Sequence, residues 1–252
     1  MHFSVMGALI LGGCATTTPG ARPHDMSEAA HEEAAEAHSG TAAQHAAEYD
    51  PEARTTQERC RGGHATGHAG QTAGGDVCWT SVTNPTKAHL RQAEEHRRMA
   101  ADHRAASAPL REAEERACVG IGPDDRDSSP FEHVEDIVSV EPLKERIPGG
   151  RLPGERMTGA VVVLRAVPGL TGEWLQRLVD CHLARNASLG HVVPEMPDCP
   201  LVPKGAEARV TSTGSGFAVA IRSTEDATAK EILARAQRLV PATAKSAAPA
   251  GP

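Results

Sequence analysis

A chain of 252 residues, 39% of them hydrophobic, is long enough for one or two domains. Its formal net charge of −7 supplies no basic footprint for a polyanion, so no nucleic-acid partner is implied. Aromatic residues make up only 2% of the chain, whereas histidine is over-used, at 13 residues, and unevenly spread.

The chain opens on a short apolar run, Phe3 to Leu11, followed by Gly12, Gly13, Cys14, Ala15 and three threonines. The run is well short of the roughly 20 apolar residues that a membrane-spanning helix needs, and it fits the apolar core of a signal peptide, although no Lys or Arg precedes it. The stretch Leu11-Gly12-Gly13-Cys14 resembles the lipobox of bacterial lipoproteins. That resemblance covers about the first 15 residues. It implies a signal peptide over residues 1–13, cleavage before Cys14, a diacylglycerol thioether on the Cys14 sulfur and a third acyl chain on the new amino terminus. Two acyl chains hold a protein on a bilayer where one does not, so the expected partner is a membrane, reached through the lipid. Ala15 after the cysteine implies, by the same resemblance, sorting to the outer membrane, facing the periplasm or the cell surface. The chain as a whole resembles lipoproteins of high-GC Gram-negative bacteria, a likeness that implies no activity.

Export places the other five cysteines, Cys60, Cys78, Cys118, Cys181 and Cys199, in an oxidising compartment where disulfides persist. An odd number leaves at least one thiol free, capped or paired between molecules.

From Ala15 to Asp76 there is no Leu, Ile, Val, Phe or Trp, and ten acidic residues outnumber four basic ones. Such a stretch buries too little apolar surface to offset ordering entropy by itself. Residues 14–26, with Pro19, Gly20 and Pro23, read as a lipidated tether. Residues 27–118 read as an Ala/His-rich helical hairpin. Its first arm starts at an N-cap, Ser27, and has high helix propensity; Ser39-Gly40 and Asp50-Pro51 are expected to break it into pieces reaching about Glu58. The stretch 61–76, Gly-rich and carrying His64 and His68, reads as the connecting loop. Cys60 and Cys78 flank it. A Cys60–Cys78 disulfide stapling the hairpin is preferred to a metal site of those thiols with His64 and His68. The second arm begins at Asn84-Pro85-Thr86 and runs to Cys118, with a kink or break expected near Pro109.

His24, His31, His38 and His45 recur every seven residues, as do His89, His96 and His103. A period of seven keeps side chains on one stripe of a helix. With the hairpin closing near Gly70, His45 falls opposite His96 and His38 opposite His103. Residues seven apart on one helix lie about 10.5 Å apart along the axis, whereas metal–nitrogen bonds are only about 2.0–2.1 Å. Chelation therefore requires pairs across the hairpin, which makes His38, His45, His96 and His103 candidate ligands for Cu, Zn or Ni. The alternatives are a heptad stripe in which histidine is an interface residue, and a hairpin that responds to pH.

Residues 133–240 carry most of the apolar residues. Asp136 to Leu143 reads as a strand, Lys144 to Arg156 as a Pro/Gly-rich connection, and Thr158 to Val167 as a central strand. Thr171 caps a helix reaching about Ala187. Glu207 to Thr213 and Phe217 to Arg222 form a hairpin, and Thr224 to Val240 is an amphipathic helix. The resulting class is α+β, and the order ββαββα resembles a small ferredoxin-like sandwich. Residues 241–252 read as a disordered tail. On the first helix of this domain, Trp174, Leu175, Leu178, Val179 and Leu189 define the buried arc, with His182 inside it and Gln176 facing away. A Cys181–Cys199 disulfide is preferred there to a metal site of Cys181, His182, His191 and Cys199, whose spacing fits no zinc pattern.

No G-x-S-x-G, phosphate-cradling loop or H-E-x-x-H is present. The leading expectation is a lipid-anchored envelope protein that is not an enzyme and docks an envelope partner. The alternative is a transition-metal-binding lipoprotein that uses the histidine ladder.

Overall fold

The computed structural model describes residues 18, 20–61, 77–147 and 154–240. The lipobox with Cys14, the loop histidines His64 and His68, and the tail 241–252 lie outside the described residues. The class is α+β; the described residues form one two-stranded and one four-stranded sheet, both antiparallel. Among the described residues no helix is long and apolar enough to cross a membrane. The chain divides into two compact units, Glu33–Asp102 and Met1–Glu32 with His103–Pro252.

Two long helices, α1 (Glu28–Glu48) and α2 (Lys87–Ala117), and two strands, β1 (Thr55–Arg61) and β2 (Val77–Thr83), make up the first part of the chain. Within the unit Glu33–Asp102, α1 runs straight through Ser39-Gly40, contrary to the expected break. The Ser39 and Thr41 hydroxyls donate to the carbonyls of Ala35 and Ala37 at 2.8 and 3.0 Å, and a single exposed glycine costs a helix only about 1 kcal/mol relative to alanine. Ala35, Ala42, Ala93 and Ala100 are all buried, in pairs seven residues apart. The helix stops before Asp50-Pro51, and the chain then forms strand rather than further helix: Thr55 to Arg61 pairs with Val77 to Thr83, with Cys60 directly opposite Cys78. Those two cysteines are bonded to each other. At the base of the hairpin, Asn84 Nδ2 donates to the Asp50 carbonyl at 2.7 Å and the Asp50 N–H donates to Thr86 Oγ1 at 3.0 Å.

In the other unit, α2 continues unbroken through Pro109 to Ala117. A short helix, α3 (Pro123–Asp127), leads into strands β3 (Ile137–Ile147) and β4 (Gly154–Arg165), helix α4 (Gly172–Ser188), strands β5 (Glu207–Thr213) and β6 (Gly216–Arg222), and helix α5 (Asp226–Arg238). The sheet order is β3-β4-β6-β5, so the most apolar strand, β4, is central. Most of the expected connection Lys144 to Arg156 is strand instead: Lys144 pairs with Met157, Glu145 with Arg156 and Arg146 with Glu155, beyond an irregularity at Leu143. Pro142 is tolerated because β3 lies at the sheet edge, where a missing N–H costs no ladder bond.

Alternation on β4 and β6 puts Ala160, Val162, Leu164, Phe217, Val219 and Ile221 into one core with Leu175 and Val179 of α4 and Ile232 and Ala236 of α5. Both helices therefore cover the same face of the sheet. Thr171 caps α4 as expected, its hydroxyl accepting from Trp174 N at 3.2 Å. Leu189 is the C-cap of α4 and is exposed rather than part of the buried arc. Gln176 does not face away: its Oε1 accepts from Val210 N at 2.6 Å and its amide donates to Ala208 O, tying α4 to edge strand β5.

Candidate metal centre

A helical stripe of imidazoles becomes a site only where two stripes face each other in the right register. The structure sets that register one heptad away from the expected one. His38 Nδ1 lies 3.0 Å from His96 Nδ1, and His45 Nδ1 lies 3.3 Å from His89 Nδ1. His38 therefore does not face His103, which instead pairs with His31 in the other unit, at 3.1 Å between Nδ1 atoms. The reason lies in the connectors. Six residues (49–54) lead from α1 into β1 but only three (84–86) from β2 into α2, so the helices and the strands do not share one centre. Strand partners sum to 138, as in Cys60 with Cys78, whereas histidine partners sum to 134, as in His45 with His89. The expected neighbours His45 and His96 do touch, as stacked rings 5.7 Å apart with planes 21° from parallel.

Glu48, the last residue of α1, completes the cluster. A carboxylate at a helix C-terminus opposes the helix dipole and needs compensating donors. Its Oε2 lies 2.7 Å from His89 Nδ1 and 3.4 Å from His45 Nδ1. The three atoms thus form a triangle with edges of 2.7, 3.3 and 3.4 Å. Ligands held at about 2.0–2.1 Å around a tetrahedral ion are separated by about 3.3 Å. The triangle has the size of three corners of such a shell. All three side chains are partly open to solvent, at 22%, 36% and 54% for His45, His89 and Glu48. A fourth position remains for water or another ligand. The His45-x-x-Glu48 spacing, which places both groups on one helix face, was the signal available in the sequence for Glu48. His89 belonged to the same heptad series as His96 and His103 but was assigned no partner.

The other cysteine and histidine sites resolve differently. The sulfurs of Cys60 and Cys78, although close to Glu58, are joined to each other and are not available as thiolate ligands. Cys181 is bonded to Cys118 rather than to Cys199, which is a buried free thiol. The reason is tertiary. Cys118, Ile121, Leu178 and Cys181 form a small buried cluster with Trp174 packed against it, whereas Cys199 belongs to the main core. His182 Nε2 donates to the Asp125 carbonyl at 2.8 Å, and burial holds its pKa below the ordinary histidine value despite that bond. His191 Nδ1 donates to the Val202 carbonyl at 2.9 Å, and burial lowers its pKa as well. With Cys181 in a disulfide and each imidazole on its own carbonyl, the Cys181, His182, His191 and Cys199 set does not converge as a metal site.

Comparison with protein-family models, curated proteins and solved structures found no match to this chain.

Proposed function

We propose that this chain is a non-enzymatic, lipid-anchored cell-envelope protein whose helical hairpin binds a divalent transition-metal ion through His45, Glu48 and His89. The convergence of two imidazole nitrogens and one carboxylate oxygen within 2.7–3.4 Å of one another carries the reading. Two nitrogens and one hard oxygen suit Zn, Cu(II) or Ni rather than an all-oxygen ion such as Ca or Mg. His38 and His96, with His96 stacked on His45, supply a second pair of imidazoles on the same hairpin. An open, partly exposed three-ligand site favours exchange over permanent storage. The role inferred is therefore binding and release of an ion at the envelope.

The anchor rests on Leu11-Gly12-Gly13-Cys14, and two disulfides are in keeping with an oxidising compartment. The C-terminal body is read as a ferredoxin-like sandwich. Its order ββαββα is a circular shift of βαββαβ, and the strand order β3-β4-β6-β5 with both helices on one face supports that reading.

Isothermal titration of the full-length chain with Zn(II), Ni(II) and Cu(II) tests the metal reading. One equivalent bound at micromolar strength or tighter, and lost in His45→Ala and His89→Ala, is the expected result. Absence of binding, or binding indifferent to both variants, leaves the second reading, a docking module for an envelope protein. That reading is favoured by the exposed Trp79 and Val82 on the β1–β2 hairpin. Labelled acyl incorporation that is abolished by Cys14→Ser tests the anchor.

A further inference from the structure

We propose that the outer face of the four-stranded sheet docks a second copy of this chain, through a two-fold contact in which Glu141 of each copy meets Arg209 of the other. The whole surface lies in the unit that contains this sheet, and the proposal does not rest on the reading of the His45–Glu48–His89 cluster.

Alternation decides which residues this face carries. Val140, Val162, Val219 and Val210 belong to the core beneath α4 and α5, so their neighbours along each strand point the other way. The register sorts those neighbours into two rows across β3, β4, β6 and β5. One row runs Glu141, Val161, Ala220, Arg209; the other runs Ser139, Val163, Ala218, Thr211. The Ser139 hydroxyl donates to Glu141 Oε1 at 3.5 Å, in keeping with two residues on one face. An antiparallel sheet with one solvated face alternates apolar inside with polar outside. The central strands do not: their outward residues Val161, Val163, Ala218 and Ala220 are all apolar and only half-buried. That composition points to a face that a further layer covers.

The charges decide what the layer is. Glu141 and Arg209 are exposed on opposite edge strands, three strand spacings or about 14 Å apart, too far to pair within one copy. A two-fold axis between two such faces, parallel to the strands, lays β3 of one copy on β5 of the other and β4 on β6. Each row then meets its own reverse. Glu141 stands over Arg209 of the second copy, Val161 over Ala220, Val163 over Ala218 and Ser139 over Thr211. Acid faces base, large faces small, and every contact occurs twice, as an isologous contact requires. The axis perpendicular to the strands lays β3 on β3 and brings like charges together, so the charges select the first arrangement. Aligned sheets pack about 10 Å apart with their strands turned by about 30°, within reach of Glu and Arg side chains. Four strands about 4.8 Å apart, with about 3.3 Å per residue along them, present roughly 450 Å² on each copy. An area of that size is at the low end for a specific contact, so the dimer is reversible and of micromolar strength.

The full-length chain bearing Cys14→Ser, which removes a thiol able to join two copies covalently, is followed by sedimentation equilibrium across the micromolar range. A monomer–dimer equilibrium is expected. Glu141→Arg and Arg209→Glu each set like charges against one another twice per dimer and should each weaken association at least about tenfold. Combined in one chain, the two reversals again put opposite charges across the contact and should return the association constant to within about threefold of the parent. The strand spacing keeps that recovery from arising inside one copy. Both positions are exposed, so circular dichroism should be unchanged in all three variants. Should a single reversal unfold, Glu141→Gln and Arg209→Gln carry the test, each weakening association about threefold. A parent that stays monomeric throughout the range would overturn the proposal. So would a dimer indifferent to the substitutions, which would form through another surface, or a double reversal that associates no better than the singles. Zn(II) titration is read separately, so failure of the metal site and failure of this contact are distinguishable.

Discussion

Cys118, one residue past the end of α2, is bonded to Cys181 midway along α4, with Cα atoms 4.6 Å apart. Both are fully buried, beside Ile121 and Leu178. Around this bond the polar side chains are also tied across the same elements: Arg185 of α4 reaches Glu114 of α2 at 3.3 Å and Asp127 of α3 at 2.5 Å. A crosslink spanning 63 residues removes chain entropy from the unfolded state equivalent to about 4 kcal/mol. The double variant Cys118→Ala/Cys181→Ala should therefore lose about 2–4 kcal/mol in urea unfolding, with the two-stranded hairpin untouched. A loss below about 1 kcal/mol would show that the bond does not constrain this unit.

Stability of the same unit should fall in mild acid. Burial keeps the folded-state pKa of His182 below the ordinary value of about 6.5, with its bond to the Asp125 carbonyl acting the other way. The unfolded chain protonates near that ordinary value while the folded protein still resists. Its contribution is therefore intact above about pH 6.5, is lost as pH falls below it, and levels off below the folded pKa. His191 adds to the same trend, because burial lowers its pKa too. Denaturant unfolding across pH 5 to 8 should show the decline, and His182→Gln should shallow it while keeping a donor for Asp125 O. An unchanged pH slope in that variant would remove His182 from the account.

Much of this architecture was readable, for identifiable reasons. The heptad histidines and the alanines between them announce two facing helices. Val161 to Leu164 is apolar enough to be a central strand, and Thr171 is a plain N-cap. The pairing of the histidines was not readable, because it depends on connector lengths that differ by three residues and on Thr55 to Arg61 being strand. That stretch, Thr-Thr-Gln-Glu-Arg-Cys-Arg, has no apolar alternation, and its strand state is set by the partner strand and by the Cys60–Cys78 bond. The partner of Cys181 was hidden for a similar reason. Cys199 is close in sequence, but the fold brings Cys118 to α4 from 63 residues away.

Gly159 sits where β4 pairs with β6, opposite Arg222, and its φ is +157°. A Cβ there would stand 2.0 Å from the Ile221 carbonyl oxygen, a backbone atom that cannot move without opening the ladder. Gly159→Ala is expected to cost about 3 kcal/mol or more, among the largest single-site losses in this domain. A midpoint for the variant within error of the parent in denaturant unfolding would contradict the register of these two strands.

Glu48 is the carboxylate of the proposed metal site with His45 and His89, and its replacement separates charge from shape. Glu48→Gln keeps the side-chain length and one oxygen but removes the negative charge that offsets a divalent ion. Zn(II) affinity should fall at least tenfold, and the helical circular dichroism signal should be unchanged or slightly stronger, because an acid has been removed from a helix C-terminus. Equal Zn(II) affinity in the variant and the parent would place the ion elsewhere on the hairpin.

Cys199 is the free thiol of the described residues, and it is 2% exposed within the core that also holds Leu201 and Val202. Burial raises its pKa, so the reactive thiolate is scarce in the folded state even where a reagent reaches the sulfur. Labelling therefore has to wait for the segment around it to open, and that segment is held by Asn186, whose amide donates to Leu201 O at 3.1 Å, and by His191 on Val202 O. In a Cys14→Ser background, a thiol reagent should label the native protein slowly, at a rate set by this opening, and should titrate one thiol per chain at once in denaturant without reductant. Asn186→Ala leaves the Leu201 carbonyl unpaired in the core and should speed native labelling about tenfold or more, since an unmet buried acceptor costs about 1–3 kcal/mol. Immediate labelling of the folded parent, or more than one reactive thiol in denaturant, would contradict the pairing of Cys118 with Cys181.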